Sequence, residues 1–206
     1  MLALVLSTAC FGSRPAEPPG PARAPQNPDD IINPLLPSPV LPPRYAVADS
    51  EFFMEHPLMV PVDGVEPRRL PDTFYEKRDG VRIHEAQDII APRGTPVLAA
   101  IDGKILRMSQ NTLGGITLYA IDSDDHYVFY YAHLDHYSDI VTVGREVRQG
   151  EVLGYVGTSG NAPPKTPHLH FQVMRKAEGH RDWWNGTPID VRPFMTMRGE
   201  KRDEGK

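Results

Sequence analysis

Four histidines and one aspartate concentrate the reactive chemistry of this chain: His84 and Asp88 in VRIHEAQDI, His133 in YYAHL, and His168 with His170 in PHLHFQV. Two imidazoles and a carboxylate are enough to hold a zinc ion, and two further imidazoles then remain for proton transfer. That inventory suits a catalytic metal site better than a structural one, which closes the ion behind four protein ligands.

The elements that carry these residues can be read from local pattern. Strand alternation in PHLHFQVM puts His168, His170, Gln172 and Met174 on one face and Leu169, Phe171 and Val173 on the other. Two histidines therefore share the face of a strand whose other side can enter a core. His84 and Asp88 are four positions apart, which places them on one side of either a helix or a strand. Pro92, Gly94 and the surrounding β-branched residues argue against a long helix there. The same residues weaken a rival reading, in which His84-Glu85-Ala86-Gln87-Asp88 would imitate the helical H-E-x-x-H zinc signature with Asp in place of the second His.

Each fragment alone has a plainer explanation. A lone H-x-H occurs by accident on polar faces, and an Asp before an apolar run commonly serves a turn or a cap. Order and context decide otherwise. RIHEAQDIIAPRGTPVLAAIDGKI, HYVFYYAHLDHY, VRQGEVLGYVGTSGN and PHLHFQV follow one another, and together they resemble the lysostaphin/LytM-type zinc metallopeptidases, a family of peptidoglycan endopeptidases, over about residues 58 to 194.

The resemblance implies a division of labour. The first His and the Asp of H-x-x-x-D, with the second His of H-x-H, ligate zinc in that family; the matching residues are His84, Asp88 and His170, for one zinc ion per chain. The family's two remaining histidines assist catalysis and match His133 and His168. Many members carry Gly where this chain has Ala86, a small change that leaves the ligands untouched. Three protein ligands leave the fourth tetrahedral position to a water whose pKa falls towards roughly 7. The expected reaction is attack of that water on a peptide carbonyl, with His168 as general base and His133 donating a hydrogen bond to the developing oxyanion, two roles that could be exchanged.

The remaining sequence reads as a mostly β domain behind a tether. Residues 11–43 hold 11 of the 22 prolines and cannot bury a core, so they are expected to form a disordered, polyproline-rich linker. A lead-in segment at 44–57, a metallopeptidase domain at 58–196 and a charged tail at 197–206 complete the expected organisation. Within the domain, turn signals such as Asp63-Gly64, Asp102-Gly103 and Gly114-Gly115 separate short β-rich runs, and no long amphipathic helix competes with them. The natural architecture is all-β: an antiparallel sandwich or open barrel, for which the resemblance adds a groove over one sheet. GTSGNAPPKTP, just before His168, should wall that groove. Tyr75, Tyr131 and Asn161 are candidates to meet substrate, whereas His56, His126, His136 and His180 read as surface or loop residues, His136 being the one that could reach the rim. Trp183 and Trp184 are expected to cap the core.

Composition bounds the partners. A net charge of −5 offers no basic footprint for nucleic acid, and the single cysteine, Cys10, excludes an internal disulfide framework. Cys10 follows the apolar run MLALVLSTA and is read as the end of a bacterial lipoprotein signal covering residues 1–10. Two departures are visible, the absence of a basic n-region and the place of Leu6, one position further from the cysteine than usual; an ordinary secretory signal is the alternative. Lipid on Cys10 would anchor the chain to a membrane in the bacterial envelope, facing the periplasm, with the tether giving reach to the wall.

The expectation is thus a zinc endopeptidase acting on the stem peptides and cross-links of peptidoglycan. Two alternatives stand beside it: a non-catalytic wall-binding or amidase-activating module, and a zinc peptidase acting on proteins.

Overall fold

Period-two alternation between turn signals does become strands, and almost every strand pairs antiparallel. The computed structural model describes residues 44–78, 80–177, 184 and 186–197; the signal-like segment, the tether and all but the first residue of the tail lie outside the described residues. Within these, helix α1 (Val47–Glu55) is followed by β1 (Leu58–Met59), β2 (Lys77–Arg78), β3 (Arg82–Ile83), β4 (Gln87–Ile90), β5 (Pro96–Leu98), β6 (Gly103–Asn111) and β7 (Gly115–Asp122). The chain continues through β8 (Tyr127–Tyr137), β9 (Glu146–Val147), β10 (Val152–Val156), β11 (His168–Arg175), β12 (Thr187–Ile189) and β13 (Met195–Thr196).

Nine of these strands form one antiparallel sheet along the path β12-β11-β8-β7-β6-β9, with β4 added on β11, and β10 bridging β8 and β5. β2 and β3 make a small hairpin of their own, and β1 pairs parallel with β13. The architecture is the expected all-β antiparallel domain.

The central strands are covered on both faces. Leu118, Ala120, Phe129, Tyr131 and Leu134 enter the main core with Leu169, Phe171 and Val173, while Tyr119, Ile121, Val128, Tyr130, Ala132 and Met174 form a second cluster on the opposite side. Burial of both faces explains why YVFYYA is a continuous apolar run with no polar alternation.

Helix α1 is held by tertiary contacts. Its N-cap is Ala46, which brings no capping side chain; instead Ala46 N donates to Asp49 Oδ2 at 2.6 Å. Asp49 is fully buried and also accepts from Arg175 Nη1 at 2.7 and 2.8 Å and from the Tyr127 hydroxyl at 3.0 Å. Phe53, with no exposed surface, docks the next turn on the core beside Tyr127 and Phe194. Burial, and the neighbouring Asp49 carboxylate, push the Tyr127 hydroxyl pKa well above the usual range. A helix this short is marginal in isolation, and its stability comes from this docking.

Candidate metal centre

Three adjacent strands bring the site together. In the antiparallel ladder between β4 and β11, Asp88 is the direct partner of His170 and Ile90 of His168. On the other edge of β11, His170 pairs with Ala132 of β8. His133 comes next, at a bulge: Leu118 pairs with Tyr131 and Ile116 with Leu134, so β8 carries one extra residue there. His133 adopts φ 61°, which no β-branched or bulky residue takes readily, and the kink re-aims its side chain.

His84 reaches the same face from the segment before β4. Glu85, between it and the strand, has φ 53°, and the turn is pinned by His84 N to Glu76 O at 2.9 Å and Glu85 N to Phe74 O at 2.7 Å. The left-handed position is Glu85, not Ala86, so an alanine at 86 meets no backbone conflict.

The donor atoms of His84, Asp88 and His170 form a nearly equilateral triangle. His84 Nε2 lies 3.0 Å from His170 Nδ1 and 3.1 Å from Asp88 Oδ1, and His170 Nδ1 lies 3.2 Å from that same oxygen. Ligand atoms at ~2.0–2.1 Å from a tetrahedral zinc stand roughly 3.3 Å apart, so the spacing fits such an ion.

Proton accounting points the same way. His84 Nδ1 is 3.0 Å from the Thr73 carbonyl, which can only accept, so in the neutral ring Nε2 carries a lone pair. That lone pair faces a carboxylate oxygen and another imidazole nitrogen. One hydrogen, on His170 Nδ1, can relieve one such contact at a time, whereas a cation would relieve all three.

Asp88 is the electrostatic centre of the group. Burial alone would raise its pKa, but His170 and His84, when protonated on the nitrogens that face it, outweigh burial and hold the carboxyl far below the usual range. Its second oxygen, Oδ2, accepts from Arg78 Nη2 at 2.5 Å. Burial lowers the pKa of His170.

His133 and His168 stand alongside, with ring centroids 4.9 Å apart. Each donates Nδ1–H to a backbone carbonyl at 2.8 Å, His133 to Ser159 and His168 to Thr166. Both neutral rings therefore present Nε2 as an acceptor, and His168 Nε2 lies 3.9 Å from Asp88 Oδ1. Burial, with the neighbouring His170, pulls the His133 pKa down to about 4.

These groups line a groove of about 500 Å³. Arg78, Arg82 and Ile83 of the β2–β3 hairpin form one wall, Asn161, Ala162, Pro163 and Thr166 another, and Tyr130 and Ala132 contribute to the lining between them. Gly115, at φ 70°, lets the second wall approach: a Cβ there would fall 2.2 Å from Ser159 Oγ.

Other candidates fall elsewhere. Tyr131 is fully buried and its hydroxyl accepts from Ala100 N, which removes it from the substrate side; Tyr75 packs under the Arg44 guanidinium, outside the groove lining. Asn161 does line the groove. His136 stacks on Tyr155 and bonds Asp135, away from the rim, and His56 stacks on Phe52 at the end of α1. His180 and Trp183 lie outside the described residues, and Trp184 is half-buried. Arg78, Thr73, Glu76 and Ser159 escaped sequence reasoning because each acts through a backbone or side-chain contact that only the folded chain creates.

A model of peptidase family M23 matches residues 82–190, more than half of the chain. The chain belongs to peptidase family M23. Among curated M23-like relatives, an L-Ala--D-Glu endopeptidase of Bacillus subtilis is 38% identical over 130 residues, covering 61% of this chain and 37% of that protein. The peptidoglycan DD-endopeptidase ShyC of Vibrio cholerae is 32% identical over 112 residues, covering 52% of this chain and 25% of its own length. The chain thus spans between a quarter and two fifths of these relatives. Among solved structures, a zinc-containing peptidase from Vibrio cholerae superposes with a TM-score of 0.53 at 26% identity, over 66% of this chain and 39% of that one.

Proposed function

We propose that this M23 protein is a zinc metalloendopeptidase that hydrolyses peptide cross-links of bacterial peptidoglycan. The observation that carries the reading is the triangle of His84 Nε2, Asp88 Oδ1 and His170 Nδ1, 3.0–3.2 Å on a side, with two acceptor imidazoles beside it in one groove. Relatives named as endopeptidases, one of them of peptidoglycan, support the substrate class.

His84, Asp88 and His170 would hold the ion, whose donor set of two imidazoles and one carboxylate leaves a position open, as in catalytic zinc sites. When bound, zinc supplies Lewis acidity, lowering the pKa of a water and polarising a carbonyl. His168 takes the proton of the attacking water at Nε2, while Nδ1 stays locked to the Thr166 carbonyl and the ring keeps its orientation. The same nitrogen then returns that proton to the departing amine as the peptide C–N bond breaks. His133 faces the carbonyl oxygen as charge develops there; with Nδ1–H engaged by Ser159, it donates from Nε2 only by taking up a proton as that charge develops, against the burial that otherwise keeps the ring neutral. The walls keep an extended peptide over these nitrogens and exclude bulk water.

Lipid attachment at Cys10 and a periplasm-facing place in the envelope complete the proposal, since a tethered hydrolase could reach the wall without leaving the membrane. Among the described residues no helix is long and apolar enough to cross a membrane.

Release of soluble muropeptides from purified sacculi tests the reading. The zinc-loaded protein should release them, and His168→Ala should not while keeping its zinc. Failure of the unmodified protein, with zinc bound, would instead favour a wall-binding or amidase-activating module.

A further inference from the structure

We infer that Arg78 is a positioning residue for the metal: it pins Asp88 so that a single oxygen faces the ion. The inference rests on the proposed use of Asp88 as a ligand and adds the device that orients it. Arg78 lies before residue 82, where the family match begins.

The geometry divides the Asp88 carboxylate cleanly. Oδ1 points at His84 and His170, at 3.1 and 3.2 Å, and Oδ2 accepts from Arg78 Nη2 at 2.5 Å. With Oδ2 engaged, the carboxylate cannot rotate to offer both oxygens to one ion without giving up a charge-assisted hydrogen bond. The guanidinium is itself placed: Nη2 also lies 3.3 Å from Glu76 Oε2, so a second carboxylate holds it from the other side.

Arg78 belongs to a short segment that secures the site from behind. Thr73 O accepts from His84 Nδ1, Thr73 Oγ1 accepts from Asp88 N at 3.1 Å, and Glu76 O accepts from His84 N. The backbone of residues 73–76 and the Thr73 hydroxyl therefore hold both ligands, and Arg78, on β2, adds a contact to the Asp88 carboxylate itself. A guanidinium on Oδ2 also draws electron density from the carboxylate, which leaves more of the ion's charge for its open position.

Groups behind a ligand set typically change metal affinity 10–100-fold when removed. The test uses the full chain and two variants. Arg78→Met keeps the aliphatic stem and removes the charge, and Arg78→Lys restores the charge on one donor nitrogen. Zinc dissociation constants come from competition with a chromogenic chelator, and the cobalt-loaded forms report ligand geometry by their visible absorption. Arg78→Met should bind zinc roughly 10–100-fold more weakly with an altered cobalt band, and Arg78→Lys should recover most of both. Far-ultraviolet circular dichroism of the metal-free proteins establishes that each is folded, and if Arg78→Met is not, Arg78→Gln takes its place as the charge-free variant. Equal affinity and an unchanged cobalt spectrum in the folded charge-free variant would overturn the inference while leaving the endopeptidase reading intact. An unmodified chain that binds no zinc would overturn both.

Discussion

The carbonyl oxygen of Ser159 accepts a 2.8 Å hydrogen bond from His133 Nδ1, and the Ser159 hydroxyl ties β8 to β7 by donating to Leu134 O at 2.6 Å and accepting from Ile116 N at 2.9 Å. One residue thus orients a ring of the site and satisfies the backbone exposed by the β8 bulge. Replacing Ser159 by Ala should cost about 1–3 kcal/mol, the usual penalty for polar groups left unpaired. Alanine keeps the carbonyl that holds His133, so turnover should fall only as far as the loop shifts, with zinc content unchanged. Urea unfolding and metal analysis of the same preparation check both halves.

Ligand and proton-transfer residues should separate by metal content. His168→Ala and His133→Ala should lose ~10²–10⁴-fold in turnover while retaining zinc. His84→Ala, Asp88→Ala and His170→Ala should lose the metal along with activity. Zinc retained at full stoichiometry in the second set would refute the assignment.

The metal-free protein should weaken with acidity before its carboxylates titrate. The folded-state pKa of His133 is depressed to about 4 from the ordinary value of 6.5. The unfolded chain therefore binds a proton that the folded site refuses. The stabilising contribution of neutral His133 is fully present above about pH 6.5, declines as pH falls, and is spent near pH 4. At 1.36 kcal/mol per unit it amounts to at most about 3 kcal/mol. His170, also lowered, acts in the same direction, and Asp88 adds its own loss only below the ordinary carboxylate range. Denaturant midpoints of the metal-free chain from pH 7 to pH 4 should show this slope, and His133→Asn should flatten it.

The pair that docks α1 should respond asymmetrically. Arg175→Met strands the Asp49 carboxylate at 0% exposure and should cost about 3–5 kcal/mol, as uncompensated buried charges do. Asp49→Ala removes the buried charge itself and leaves Arg175, whose side chain is 39% exposed, free to turn to water, so it should cost less. Chemical denaturation of the two variants ranks them.

Much of this arrangement is legible in the sequence, and what is not has a physical cause. PHLHFQVM alternates because one face of β11 enters the core, so the common side of His168 and His170 follows from period alone. The turn pairs Asp63-Gly64 and Gly114-Gly115 mark chain reversals that need a left-handed residue, and Gly64 and Gly115 take φ 74° and 70°. Helix α1 escapes because only Asp49 and Phe53 of its nine residues are buried, too few to print a helical period. The bulge at His133 leaves no mark in composition, since its positive φ falls on a residue chosen for its ring. Arg78 is invisible for another reason. Its partner Asp88 is ten residues away, and the packing of the β2–β3 hairpin beside β4 brings them together.

Three lone pairs aimed at one point make the metal centre a place where a proton and a cation are rivals. Any hydrogen resting among His84 Nε2, Asp88 Oδ1 and His170 Nδ1 has to leave, or shift to the far nitrogen of His170, before an ion can enter. Metallation is therefore an acid-sensitive equilibrium in its own right. Affinity should decline by up to about tenfold for each pH unit over which a ligand ring is cationic, so zinc loaded into the protein should be released on acidification and taken up again on neutralisation.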